Sequence, residues 1–380
     1  MVDVADVFRR FAPGYQAAHG AAMPPSHRRA IADILACRTE ALGGHLERCT
    51  GCGAEVLNFH ACRNRSCPQC HGEQTRAWLE KRQAEMLPCP YFHVTVTVPE
   101  ELRAALRTHQ RDGYGALMTA AAEAIIEVAR DPRHVGGTVG VLAVLHTWTQ
   151  QLHFHPHVHC LVTGGGVSGD GDTWHPARPD FLVPTRALGK AVRGRFRAAF
   201  ARRCPGVILP AGAWRKPWVV HITPWGAGEQ AVLDYLARYT FRIALTNRRL
   251  VDLDEHTVAF QYTDRPTGSR RICRVSGHEF MRRSLQHVLP TGFHKVRYFG
   301  LWHPSKRAQA QRVRHALLLD HRPAPAPLAD TITDAAVDPD PACAAGPTAS
   351  VVPPVRLCPL CRHGHLVVVR RVSPIRSMGP

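Results

Sequence analysis

The stretch LHFHPHVHCLVTGGG, residues 152–166, places His153, His155, His157 and His159 at every second position. A β-strand repeats its side-chain direction every two residues, so all four imidazoles are expected on one face. Val158, Cys160, Leu161 and Val162 supply the apolar anchor that seats such a strand in a core, and the three glycines after them predict a turn. Pro156 cannot donate to a ladder, which suits an edge or a strand start. Within the row, His157-Val158-His159 has the form that metal ligation needs, with two imidazoles on one side and a core residue between them. Two imidazoles leave coordination positions open, as a catalytic ion requires. Gln150, Gln151, His146 and His93 are candidates for a third protein ligand. Gln150 is preferred, because its amide oxygen is a hard donor suited to Mg2+ or Mn2+.

Working outward, YFHVTVTVP and GTVGVLAVLHTWT precede this strand and KPWVVHITP follows it, each with the β-branched texture of a strand. HTVAFQYTD and RRICRVS read as a further strand pair. Helices are expected over residues 1–36, 72–87, 101–130 and 228–245. In the last of these, YLARYTFR sets Tyr235 and Tyr239 at i and i+4, hence on one helical face with Cβ atoms about 6 Å apart. Arg238 and Arg242 form a parallel pair beside them. Two tyrosines on an amphipathic helix are ordinarily core residues, but Val232, Leu233, Leu236 and Ile243 already carry the apolar stripe. With a metal at His157 and His159 to polarise a phosphate, a tyrosine is placed to attack phosphorus while Arg238 and Arg242 hold the backbone.

The chain has 380 residues, 45% of them apolar, and a net charge of +18, which points to a polyanionic partner. A GC-rich genome would favour Arg over Lys, but it would not explain the shortage of acids. No stretch reaches the roughly 20 apolar residues that span a bilayer. The N-terminus, MVDVADVFRRFAPGYQ, has charges where a signal peptide has an apolar core, so a cytoplasmic protein is expected. Thirteen cysteines in such a chain favour metal ligation over disulfides. Cys49/Cys52 and Cys67/Cys70 form two C-x-x-C knuckles, the spacing of a four-thiolate structural zinc site. His45, Cys37 and Cys62 lie near enough to be exchanged ligands or to serve a second ion. Cys358 and Cys361, with His363 and His365, form a further Cys/His group in the tail.

Taken together, CRTEALGGHLERCTGCG, CRNRSCPQCH, YFHVTVTVP, LHTWTQQLHFHPHVHCLVTGGG, YLARYTFRIALTNRRL and TGFHKVRYFGLWH resemble, in family order, the two-tyrosine HUH transposases of rolling-circle insertion sequences, the IS ninety-one family. Two departures touch no proposed ligand: Phe241 stands where the family often has histidine, and VTVTVP replaces a VVFTLP-like strand. The resemblance implies an α+β fold, an HUH-type antiparallel sheet flanked by helices and preceded by a small helical zinc-binding domain. It implies domains at 1–88 (zinc- and DNA-binding) and 89–320 (nuclease), while Pro-, Ala- and Asp-rich composition predicts a disordered linker at 321–355 before the Cys/His-containing tail at 356–380. Tyr235 and Tyr239 become nucleophiles that form 5′-phosphotyrosine links with single-stranded element ends and target DNA. Lys295 and Arg297 join Arg238 and Arg242 as phosphate contacts. The implied cofactors are structural Zn2+ and catalytic Mg2+ or Mn2+, and no nucleotide is needed, since the phosphotyrosine conserves the bond energy. Three rivals are an HUH replication initiator or relaxase, a non-catalytic zinc-dependent DNA-binding regulator, and a zinc hydrolase. The regulator leaves the histidines and tyrosines unexplained, and the hydrolase lacks a carboxylate within HPHVH.

Overall fold

The computed structural model describes residues 2–70, 86–171, 173–227, 235, 239, 244–264, 267–320 and 356–375. Most of the helix expected over 72–87, Arg238, Arg242 and the linker 321–355 lie outside these residues. The chain is α+β and divides into two units, 1–37 with 62–320 and 38–61 with 321–380. This division departs from the boundary expected at residue 88, because the unit holding the first C-x-x-C knuckle takes its third strand from the far end of the sequence.

In the larger unit, the order of the main sheet is Val296–Gly300, Thr138–Trp148, Phe154–Val167, Pro90–Thr97, Val219–Ala227, with every pairing antiparallel. The histidine strand is therefore central. Pro156 is accommodated at its start, where the facing strand has a register shift between His146 and Trp148. The strand begins at Phe154, so His153 precedes it and the expected row of four imidazoles is reduced to three. The glycines also depart from expectation, since Gly164, Gly165 and Gly166 continue the strand instead of turning. Close approach explains them. A Cβ on Gly164 would sit 2.7 Å from the Pro90 oxygen, one on Gly165 would sit 2.3 Å from the Trp174 ring, and one on Gly166 would sit 2.7 Å from Gly137.

Period-two alternation sorts this sheet into two faces. Val94, Val96, Val141, Ala143, Val158, Cys160 and Val162 pack with Leu117 and Ala121 of the helix Gln110–Ala129 and with Phe196 and Phe200 of the helix Thr185–Arg203. Each fully buried side chain of this size contributes about 1.5–3 kcal/mol. The opposite face holds Tyr91, Leu142, Val144 and Leu161, packed with Tyr235, Leu301, Val313 and Leu317. His146, His157 and His159 share that second face, because His146 pairs with His157 and Val144 with His159 across the ladder.

A second sheet of the same unit runs Arg270–Ser276, Thr257–Thr263, Leu250–Leu253, which includes the expected strand pair. The helix Gly277–Leu285 then sets Phe280 against Phe260, ring centroids 6.1 Å apart. The N-terminal helices run over Val4–His19, opened by an Asp3/Asp6 capping box, and Pro25–Ala36, with proline in its first turn. The smaller unit is a three-stranded antiparallel sheet in the order Leu366–Val372, Gly44–Cys49, Glu55–Phe59. The expected separate tail at 356–380 is thus part of a sheet.

Candidate active site and metal centres

The strand register brings together three imidazoles whose ligating atoms all lie within 4.8 Å of one another, those of His146, His157 and His159. Each is oriented by a second contact. His157 Nδ1 donates to the His155 carbonyl at 2.7 Å, which leaves the lone pair of the neutral ring on Nε2. His146 Nε2 donates to the Tyr239 carbonyl at 2.7 Å, which puts its lone pair on Nδ1. His159 Nδ1 faces His93 Nε2 at 2.9 Å and Thr95 Oγ1 at 3.2 Å. Metal-binding histidines characteristically have such outer partners, which hold tautomer and ring plane.

The preferred third ligand, Gln150, is engaged elsewhere. Its side-chain oxygen accepts the Thr263 amide at 2.7 Å, and its carbonyl accepts from Arg249, whose guanidinium also binds the carbonyls of Gln261 and Ala244. His146, one of the alternatives, takes the position beside the pair. Its candidacy was visible in the sequence, but its membership rests on the register.

His157 and His159 open into a cavity of about 620 Å3, also lined by His93, His155, His221, Tyr239 and Asp264. Asp264 is the carboxylate that the HPHVH segment itself lacks; it binds the Thr267 hydroxyl at 2.8 Å and Arg271 at 3.5 Å. Nothing in the local sequence pattern pointed to it, since it reaches the cavity from the second sheet.

The two tyrosines occupy unlike environments. Tyr239 is half-buried, with its ring 4.4 Å from His159 and 4.7 Å from His93. Tyr235 lies 4.8 Å behind it, is fully buried, and its hydroxyl has no hydrogen-bond partner among the described residues. Burial pushes the Tyr235 phenol well above its ordinary range, with further upward contributions from Cys160 and Tyr239. Of the expected phosphate contacts, Arg238 and Arg242 are outside the described residues. Lys295 and Arg297 are half-buried on and beside the edge strand Val296–Gly300, and burial lowers both, Lys295 to about 8. Lys295 lines a pocket with Arg65, Trp148 and His287, distinct from the histidine cavity.

The cysteines regroup. Cys37, Cys62, Cys67 and Cys70 form one set, and Cys49, Cys52, Cys358 and Cys361 another. The two N-terminal knuckles thus fall in different sets, one in each unit. His45 joins neither set and instead contacts His60 at 3.3 Å. In the first set, Cys70 Sγ lies 3.5 Å from both Cys37 Sγ and Cys62 Sγ. Zinc–sulfur bonds of about 2.3 Å give tetrahedral edges of roughly 3.8 Å, so the spacing fits four thiolates around zinc. Hydrogen bonding from the Cys67 thiol, with further help from the Asn64 amide, lowers Cys62 to about 6, while Cys67 and Cys70 are raised.

A family described as "Putative transposase" matches residues 140–310, and one described as "Transposase zinc-binding domain" of the IS91 type matches residues 7–98. "Putative transposase y4qJ" of Sinorhizobium fredii (strain NBRC 101917 / NGR234) is 42% identical over 317 residues, covering 78% of this chain and 79% of that protein. "Transposase for insertion sequence element IS801" of Pseudomonas savastanoi pv. phaseolicola is 27% identical over 290 residues, covering 71% and 68%. No solved structure matches. The first match spans the histidines and both tyrosines, the second spans Cys37 through Cys70, and Cys358 and Cys361 lie outside both.

Proposed function

Because this chain belongs to the transposase family that carries the IS91-type zinc-binding domain, we propose that it cuts and rejoins single-stranded DNA by tyrosine transesterification in rolling-circle transposition. The observation that supports this most directly is Tyr239 packed against His159, ring centroids 4.4 Å apart, in the cavity that His157 and His159 line, with His146 converging on the same pair.

His146, His157 and His159 would hold a divalent ion. Three imidazoles suit a first-row transition ion better than Mg2+, so Mn2+ is the favoured choice of the two. When bound, the ion supplies Lewis-acid polarisation of a phosphate oxygen. His93 and Thr95 hold the His159 ring in place, and the His155 carbonyl holds His157. The Tyr239 oxygen forms the new bond to phosphorus as the bond to the 3′ oxygen breaks. The net result is a 5′-phosphotyrosine, a free 3′-hydroxyl and transfer of the phenolic proton to that hydroxyl. Reversal of the same step rejoins strands, so no nucleotide is consumed. Tyr239 acts first, since Tyr235 is buried and its phenol strongly resists ionisation. Tyr235 takes its turn after the helix shifts to expose it, which allows a second strand to be cut before the first link is resolved. The +18 net charge supplies sequence-independent affinity for the strand.

The test is to incubate the full chain with Mn2+ and end-labelled single-stranded oligonucleotides carrying the element's ends. A protease-sensitive adduct that His157→Ala and Tyr239→Phe abolish, with DNA binding kept, is the expected result. Cleavage that leaves free 5′-phosphates in the Tyr235→Phe/Tyr239→Phe protein would instead assign a metal-dependent hydrolase, with Asp264 the available base.

A further inference from the structure

The smaller unit lacks a hydrophobic core. Among its described residues, the buried side chains are Glu47, Cys49 and Cys358, whereas Leu57, Leu357, Leu360, Val367, Val368 and Val369 are exposed. A sheet of three short strands with no apolar interior does not hold together by burial alone, and folds of this size rely on a disulfide or metal staple. The two interior cysteines point to the staple. Cys49 Sγ lies 3.6 Å from Cys361 Sγ, and Cys52 Sγ 3.8 Å from Cys358 Sγ. These separations are far beyond the roughly 2.05 Å of a disulfide, and they match the roughly 3.8 Å edge of a zinc–thiolate tetrahedron.

The backbone repeats the same device on both sides. The amides of Gly51 and Cys52 donate to Cys49 Sγ at 3.3 and 3.4 Å, and the amide of Gly364 donates to Cys361 Sγ at 3.3 Å. The residue after each second cysteine is left-handed: Gly53 with φ 72° and Arg362 with φ 62°. For arginine that conformation is unfavourable and must be imposed by its surroundings. Among the described residues, Arg38 and Arg63, which follow Cys37 and Cys62 of the first set, share it with φ 56°.

We propose that Cys49, Cys52, Cys358 and Cys361 form a second structural zinc site, split between the two ends of the chain. The hairpin Gly44–Cys49/Glu55–Phe59 is completed by Leu366–Val372, and the ion joins ligands as far as 312 positions apart. The unit can take up its zinc only after the last ligand, Cys361, has been synthesised, so a truncated transposase lacks it. Nothing in this reading depends on the DNA chemistry.

Metal content measured by plasma mass spectrometry on the purified full chain tests it. With zinc at the histidine site kept out of the count by a His157→Ala background in every sample, the parent chain should hold two zinc ions. Cys358→Ser/Cys361→Ser and Cys62→Ser/Cys67→Ser should each hold one. All seven tryptophans lie in the larger unit, so unchanged tryptophan fluorescence in the first variant reports that unit intact. Cys358→His keeps a ligand and should retain both ions, with a shifted visible spectrum after cobalt substitution. A Cys358→Ser/Cys361→Ser protein that keeps two ions, or sheds both, overturns the assignment, as does iron in place of zinc.

Discussion

Deleting a single oxygen should stabilise this protein. The Tyr235 hydroxyl is buried with no hydrogen-bond partner among the described residues, and a hydroxyl removed from water without a partner costs roughly 1–3 kcal/mol. The ring contacts, with centroids 5.6 Å from His93, 5.6 Å from Trp225 and 4.8 Å from Tyr239, do not involve that oxygen. Tyr235→Phe keeps the ring and removes the penalty, so the folded state should gain about 1–2 kcal/mol, a rise in Tm of about 2–6 °C for a unit of this size. Tyr239 lines the open cavity, and Tyr239→Phe should change stability by less than about 0.5 kcal/mol. Equilibrium urea unfolding of the wild type and both variants, followed by tryptophan fluorescence, measures the difference. A Tyr235→Phe protein destabilised by about 1 kcal/mol or more would mean that the hydroxyl is satisfied. The argument for Tyr239 acting before Tyr235 would then lose its basis as well.

Three further outcomes are expected. His146→Ala should weaken Mn2+ binding to the full chain by at least about tenfold, while Gln150→Ala should leave it within about threefold, read by titration calorimetry; equal effects would restore Gln150 as a ligand. His287 is buried between Thr147 and the Leu152 carbonyl, and burial drops its pKa to about 3. The folded state therefore refuses a proton that the unfolded state accepts from about pH 6.5 downward, so stability should fall by up to about 1.4 kcal/mol per pH unit between about 6.5 and 3. His287→Gln should flatten that slope relative to wild type, and parallel curves would refute it. Gly277→Ala should destabilise by about 1–3 kcal/mol in thermal unfolding, because its Cβ would lie 2.2 Å from the buried Phe11 ring; an unchanged Tm would mean the ring yields freely.

Local periodicity carried much of the fold. The histidine strand, its two neighbours, the pair Thr257–Thr263 and Arg270–Ser276, and the N-terminal helices all lie where alternation or helical spacing put them. The helices Thr185–Arg203 and Gly277–Leu285 emerge only in the folded chain. The first mixes arginine along its length, and the second is short. The glycine run misled for a physical reason: glycine marks both turns and tight strand contacts, and the neighbours that distinguish them, Pro90, Trp174 and Gly137, are distant in sequence.

The same division holds at the sites. Sequence by itself determined that His157 and His159 share a face, since two-residue alternation is a property of any strand, and that cysteines come in C-x-x-C pairs, since one knuckle spans four residues. Which cysteine pairs come together, and which third imidazole joins the histidines, are set by separations of a few ångströms between segments far apart in the chain. His146 meets His157 through strand register, and Cys52 meets Cys358 across 306 positions because the last described strand pairs with the first. Local spacing carries no information about such partners, so only the tertiary structure decided them.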